Sequence, residues 1–229
     1  DGTLALDELL WRGSYPVLHT RSVAPGDWFA SYVATYLERD VRQVLKVQDL
    51  TTFQRFVRLC AGRCGQLLNL NALAGETGIT HTTARAWLSV LESSDVVYLL
   101  APYHRNFGKR LVKTPKLYFA DTGLACWLLG IRAADMLALH PLRGALFENW
   151  VITEHLKARC NAGEAADLHF WRDNNGVEAD LLYEVAGQLQ TVEIKSGQTP
   201  TADYIRAGQK SARFAGTEAL APCLVYGGD

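Results

Sequence analysis

Between Asp27 and Lys46 the apolar residues Phe29, Val33, Tyr36, Leu37, Val41, Val44 and Leu45 recur at spacings of three and four, which predicts an amphipathic helix. Glu38, Arg39, Asp40 and Arg42 form its wet side. A second stripe of Phe53, Phe56, Val57 and Cys60 predicts a helix from Thr51 to about Gly62, with Gly62 and Gly65 marking its end. Residues 66–100 read as helix, tight turn, helix and strand. Asn71 is expected to cap a short helix through Leu73 and Ala74, Gly78 supplies the turn, and Thr80 caps a helix running to about Glu92. Ala84, Trp87, Leu88 and Leu91 then face inward, leaving His81, Thr82, Arg85 and Ser89 outward. Val96–Leu100 is β-rich, Pro102 is read as its stop, and Lys116–Phe119 is a second short strand.

A helix-turn-helix followed by two strands with a basic tip is the winged-helix arrangement. From Asp121 to His140 short helices are broken by Gly123, Gly130 and Pro141, a connector. Leu142 to about Arg159 is then helical, and β-patterned stretches follow at Asp167–Arg172, Val177–Val185 and Leu189–Lys195. Gly176 and Gly187 mark the turns between them, Thr201–Phe214 is helical again, and Cys223–Tyr226 is a last strand. The expected fold is mixed α/β and multidomain. A helical segment and winged helix occupy 27–120, a connector 121–141, and an α-β-β-β-α-β domain 142–229.

Composition narrows this picture. With 229 residues, 48% of them hydrophobic, the chain can bury sizeable cores, which excludes global disorder. Five cysteines in a chain of this size do not suggest a disulfide framework, and Cys60 and Cys64 lack companions for a zinc site, so buried thiols are expected. No apolar run reaches the roughly 18 residues of a membrane span, and no charged-then-apolar leader opens the chain, so a soluble cytoplasmic protein without membrane partners is expected. Asp1 rather than Met begins the sequence, which suggests a piece of a longer protein.

The net charge of −1 excludes coating of nucleic acid by bulk electrostatics, but its distribution is uneven. His104–Lys116 holds five basic residues (Arg105, Lys109, Arg110, Lys113 and Lys116) and no acid, whereas residues 142–229 carry eight basic against twelve acidic residues. DNA is therefore a candidate partner. His81, Thr82 and Arg85 are the candidate groove contacts, and Arg105, Lys109 and Arg110 are the candidate contacts to phosphate. Trp171 and Arg172 could stack on a base or line the cleft, with core packing the plainer reading for Trp171.

The acidic end holds the candidate chemistry. Glu193 and Lys195 share one face of a predicted strand while Val192 and Ile194 share the other. Hairpin pairing would bring Asp180 beside Glu193, and Glu148 lies on the helix before the sheet. Glu178 shares the face of Asp180 and could be a further ligand, with a solvated edge residue as the plainer reading. Carboxylates gathered in this way repel unless a cation lies among them, and Mg²⁺ (or Mn²⁺) suits oxygen-only ligands. Asp180, Glu193 and Glu148 are the expected metal ligands. Such an ion could lower the pKa of a bound water and neutralise charge developing on a phosphodiester. Lys195 would position or deprotonate the attacking water and neutralise the phosphate.

Glu148, Asp180 and Glu193-x-Lys195 across that element order resemble the PD-(D/E)xK nuclease superfamily, the restriction-endonuclease-like fold, with Ala179 where the superfamily name has proline. The resemblance implies a metal-dependent endonuclease with Asp180, Glu193, Lys195 and Glu148 as catalytic residues. Further stretches extend a likeness along the chain: Tyr36-Leu37-Glu38-Arg39-Asp40-Val41, Pro115-Lys116-Leu117-Tyr118-Phe119-x-Asp121-Thr122-Gly123-Leu124, Phe147-Glu148-Asn149, and Val192-Glu193-Ile194-Lys195-Ser196-Gly197. They resemble a domain found C-terminal to AAA-type ATPases in bacterial and archaeal proteins. This implies that residues 1–26 are the tail of an upstream ATPase module in the same polypeptide. No G-x-x-x-x-G-K-[ST] occurs, so no ATP site or ATPase activity is expected here. The sequence thus supports a DNA-associated nuclease-like chain, or else a non-catalytic DNA- or protein-binding assembly module on a degenerate nuclease fold. Self-association is left open.

Overall fold

A computed structural model describes residues 4–37, 39, 49–103, 113–172, 176–201, 204, 209 and 219–228. The chain is mixed α/β. By density of contacts it divides into two units, residues 1–99 with 117–146, and residues 100–116 with 147–229. Among the described residues no helix is long and apolar enough to cross a membrane.

Unit 1 is mainly helical. Helices α1 (Leu6–Arg12), α2 (Val17–Thr20) and α3 (Pro25–Tyr32) open it, and α3 passes into a π-helical turn, Val33–Leu37. The predicted helix to Lys46 therefore has a regular α-helical part ending at Tyr32, and residues 40–48 lie outside the described residues. Helix α4 (Leu50–Ala61) begins at Asp49, whose carboxylate accepts from Thr52 N at 3.0 Å, and it buries Phe53, Phe56, Val57 and Cys60. Cys60 and Cys64 are both buried thiols.

Helix α5 (Leu70–Thr77) is capped by Asn69, not by Asn71, because the Asn69 side chain is the one that reaches Ala72 N, at 3.0 Å. Gly78 takes the left-handed conformation at φ +83°, which glycine adopts without a Cβ penalty. Thr80 then caps α6 (His81–Ser93), which buries Ala84, Trp87, Leu88 and Leu91 as the periodicity predicts. Trp87 meets Phe53 and Phe56 edge-on, with ring centroids 5.3 and 5.5 Å away.

Strands β1 (Val97–Pro102) and β2 (Lys116–Phe119) are neighbours, and Ala120 N donates to Val96 O at 3.0 Å. β1 includes Pro102 rather than stopping before it. Two short helices follow, α7 (Thr122–Leu128) and α8 (Ala134–Ala138). Asp121 caps α7 by accepting from Leu124 N at 2.8 Å, and its other oxygen accepts from Ser14 N at 2.6 Å.

Unit 2 is a mixed sheet with most of helix α9 (Arg143–Asn161). Ala101 and Pro102 of β1 run parallel to β3 (His169–Arg172), and β3, β4 (Glu178–Val185) and β5 (Gln188–Lys195) form an antiparallel meander. β6 (Cys223–Tyr226) lies parallel to β5. The β4–β5 turn is Ala186-Gly187, both at positive φ (+50° and +80°), the backbone of a two-residue hairpin turn whose twist suits the strands. It sets the pairing Val185↔Gln188 through Leu181↔Val192. Trp171 is buried with Tyr103, Ala179, Leu182 and Leu189, as expected of a core residue. The predicted helix 201–214 lies outside the described residues except at Thr201, Tyr204 and Gln209.

Candidate functional site

The carboxylates of unit 2 are brought together by strand alternation on two neighbouring strands and by one turn of helix. Glu178 and Asp180 are two apart on β4, and Glu193 and Lys195 two apart on β5. The Leu181↔Val192 register carries Asp180 towards the Glu193–Lys195 end of β5. Asp180 Oδ2 accepts from Ile194 N at 2.8 Å and from Lys195 Nζ at 2.9 Å. The same ammonium lies 3.4 Å from Glu193 Oε2. Glu193 is 1% exposed, and its Oε1 has no hydrogen-bond partner among the described residues.

Glu148 on α9 completes the group. Oxygens of Glu148, Glu178 and Asp180 lie within 4.8 Å of one another, an arrangement that can hold a metal ion. Glu178 is therefore not the solvated edge residue that its sequence position suggests. It is partly buried and paired with Arg172 at 3.3 Å and with Lys116. Lys116 likewise leaves the basic surface to which its neighbours assign it. It is 3% exposed, and its ammonium lies 2.9 Å from Glu148 Oε1 and against Glu178 Oε1, with the Phe170 ring centroid 5.4 Å away.

These contacts set the protonation states. Burial raises the Glu193 carboxyl to about 8, and the Asp180 charge adds to the effect, outweighing Lys195. Burial works to lower both lysines, yet both are held above the ordinary lysine range. Glu148 and Glu178 prevail at Lys116, and Asp180 and Glu193 prevail at Lys195. Lys195 in this geometry is a hydrogen-bond donor to Asp180 and lies within reach of Glu193. A hard divalent ion suits the donor set of carboxylate oxygens from Glu148, Glu178 and Asp180.

His81, Thr82 and Arg85 are exposed on α6 in unit 1. Arg105, Lys109 and Arg110 lie outside the described residues. Sequence reasoning missed Lys116 as a member of the carboxylate group. The one local signal was its place at the head of a strand whose other residues, Leu117, Tyr118 and Phe119, are large and apolar.

Two domain families match the chain. The one described as Domain of unknown function (DUF8612) matches residues 3–135, and the one described as Domain of unknown function (DUF4143) matches residues 143–229. Two relatives described as uncharacterized proteins, from Mycobacterium bovis and Mycobacterium tuberculosis, are each 35% identical over 202 residues, covering 87% of this chain and 45% of their own length. The chain therefore spans less than half the length of these curated relatives. No solved structure gives a significant match.

Proposed function

We infer, for a chain that belongs to the family described as Domain of unknown function (DUF8612), a DNA-associated region of an ATPase-linked protein in which unit 2 hydrolyses phosphodiester bonds. The observation that carries this reading is the Asp180–Lys195–Glu193 arrangement, in which one ammonium bridges two carboxylates and a buried carboxylate oxygen has no partner among the described residues. Asp180, Glu193 and Glu148 would hold a divalent ion, Mg²⁺ or Mn²⁺, which when bound supplies Lewis acidity and a more acidic water.

The chain's own groups supply the rest. Asp180 is fixed in orientation by the Ile194 amide, so its free lone pairs are aimed before any ligand arrives. Lys195 stays protonated and donates a hydrogen bond, which suits it to a non-bridging phosphoryl oxygen as charge builds there. His81, Thr82 and Arg85 of unit 1 would meet duplex DNA, and Arg105, Lys109 and Arg110, outside the described residues, are the proposed phosphate contacts. An ATPase module of the same polypeptide would be the upstream partner.

The test is Mg²⁺-dependent nicking of supercoiled DNA. Lys195→Ala is expected to slow it about 100-fold, in line with losing one charged donor to a transition state. Equal nicking by both chains would overturn the catalytic reading. One observation favours a second reading, an assembly or recognition module without catalysis: Lys116 already neutralises Glu148 and Glu178. Calorimetry with Mn²⁺ showing no heat that Asp180→Ala removes would favour it.

A further inference from the structure

We propose that Lys116 is a resident counter-ion of the Glu148, Glu178 and Asp180 group, and that a divalent cation binds unit 2 by displacing its ammonium. The proposal rests on the reading above that unit 2 holds a divalent ion, takes Glu178 with Glu148 and Asp180 as the carboxylates that share it, and adds an opponent within the chain. Lys116 comes to the carboxylates from the buried side: its side chain keeps 4% of its surface exposed, whereas Glu148 and Glu178 keep 17% and 21%. The same two carboxylates are thus reachable by lysine from beneath and by a solvated ion from outside. An ion that takes an oxygen from each shares those carboxylates with an ammonium already 2.9 Å from Glu148 and in contact with Glu178. Two cations on the same pair of carboxylates in a partly buried site repel strongly, so the two modes oppose one another.

Outside those three carboxylates, one more buried oxygen supports a place for a cation beside Asp180. Glu193, 1% exposed, brings a carboxylate oxygen without a partner among the described residues to the side of Asp180. Lys195 bonds Asp180 and Glu193, and Lys116 bonds Glu148 and Glu178. Lys116 is therefore the cation whose partners coincide with two members of the metal-holding set, and Glu178 is additionally anchored by Arg172 when Lys116 withdraws.

The experiment compares Mn²⁺ binding by calorimetry, and melting in chelator against melting in Mn²⁺, for the wild-type chain, Lys116→Met and Lys116→Arg. Lys116→Met is expected to bind Mn²⁺ about tenfold more tightly than wild type, since a like charge has been removed from the ion's oxygens. It should melt lower than wild type in chelator and recover that loss in Mn²⁺. Lys116→Arg, which keeps the charge, should bind Mn²⁺ no more tightly than wild type. Equal or weaker binding by Lys116→Met would overturn displacement while leaving the metal reading intact. A Lys116→Met chain that fails to fold even in Mn²⁺ would also overturn it, because the ion could not then replace the ammonium. No Mn²⁺ heat in any of the three chains would overturn the metal reading itself, and displacement with it.

Discussion

Glu193 is the residue whose surroundings and charge conflict most. It is buried beside Asp180 and shares its nearest cation, and its proton is held to about pH 8 against an ordinary 4.5, first by desolvation and then by Asp180. The folded state therefore binds this proton more tightly than the unfolded chain does. The sign follows: the stabilising contribution is complete below about pH 4.5 and is lost as pH rises towards 8. Replacing the carboxyl by a neutral amide removes that penalty. Glu193→Gln is expected to be more stable than wild type at pH 8 by about 2–4 kcal/mol in chelator, at roughly 1.4 kcal/mol per unit of displaced pKa, with most of the advantage gone at pH 5. Urea unfolding at the two pH values measures this. A constant difference between the proteins would mean that Glu193 does not titrate in this range.

At the scale of elements, the pair α5–α6 is positioned by chemistry that acts over a few residues. Asn69 and Thr80 cap the two helices, Gly78 turns the chain, and the buried stripe of α6 packs on the aromatic face of α4. Arg85 is left on the outer face. If that face meets DNA, Arg85→Ala should weaken duplex binding and reduce the slope of log K against log salt by about one, the mark of one lost phosphate contact. Fluorescence anisotropy across a salt series would show it, and an unchanged slope would remove α6 from the contact. These elements were legible because caps, turns and periodicity are local. The Asp180, Glu193 and Lys195 grouping was legible for the same reason, since a two-residue turn fixes the hairpin register. Asn69 was missed because two asparagines lie within three positions, and only backbone geometry decides which reaches an amide. Lys116 was missed, and Glu178 reads first as a solvated edge and only second as a ligand, because each is buried by partners far along the chain: the acids that bury Lys116 are 32 positions on, at Glu148, and further still, at Glu178. A charge reads as solvated until its distant counter-charge is placed.

At the scale of the whole molecule, acids and bases are paired within each unit: Arg12 with Glu8, Arg63 with Glu76 and Arg143 with Asp7 in unit 1, and the Lys116 and Lys195 groups in unit 2. Unit 1 also joins remote parts of the sequence through Asp121. This buried carboxylate caps α7 and accepts from the amide and hydroxyl of Ser14, 107 positions away. The approach is close enough that a Cβ on Gly13, at φ +75°, would come within 2.4 Å of its Oδ1, and one on Gly123 within 2.6 Å of Arg12 O. Asp121→Ala should therefore lower stability by about 2–4 kcal/mol, through a lost cap and amides left without acceptors. The segment before α3 should then become sensitive to trypsin at Arg12 and Arg21. Protection equal to wild type in limited proteolysis would show that Asp121 does not hold that segment.

The parallel pairing of β6 with β5 bears on when the site can exist during synthesis. β5 carries Glu193 and Lys195, and its outer edge is closed by a strand that ends at Tyr226, with Lys195 opposite Tyr226 itself. Parallel pairs form only through a long crossover, and non-local pairings are slow to form. On the ribosome, the acids of β4 and β5 and the lysines among them emerge well before that closing strand. That edge of the site strand can be closed by β6 only after β6 itself has been synthesised.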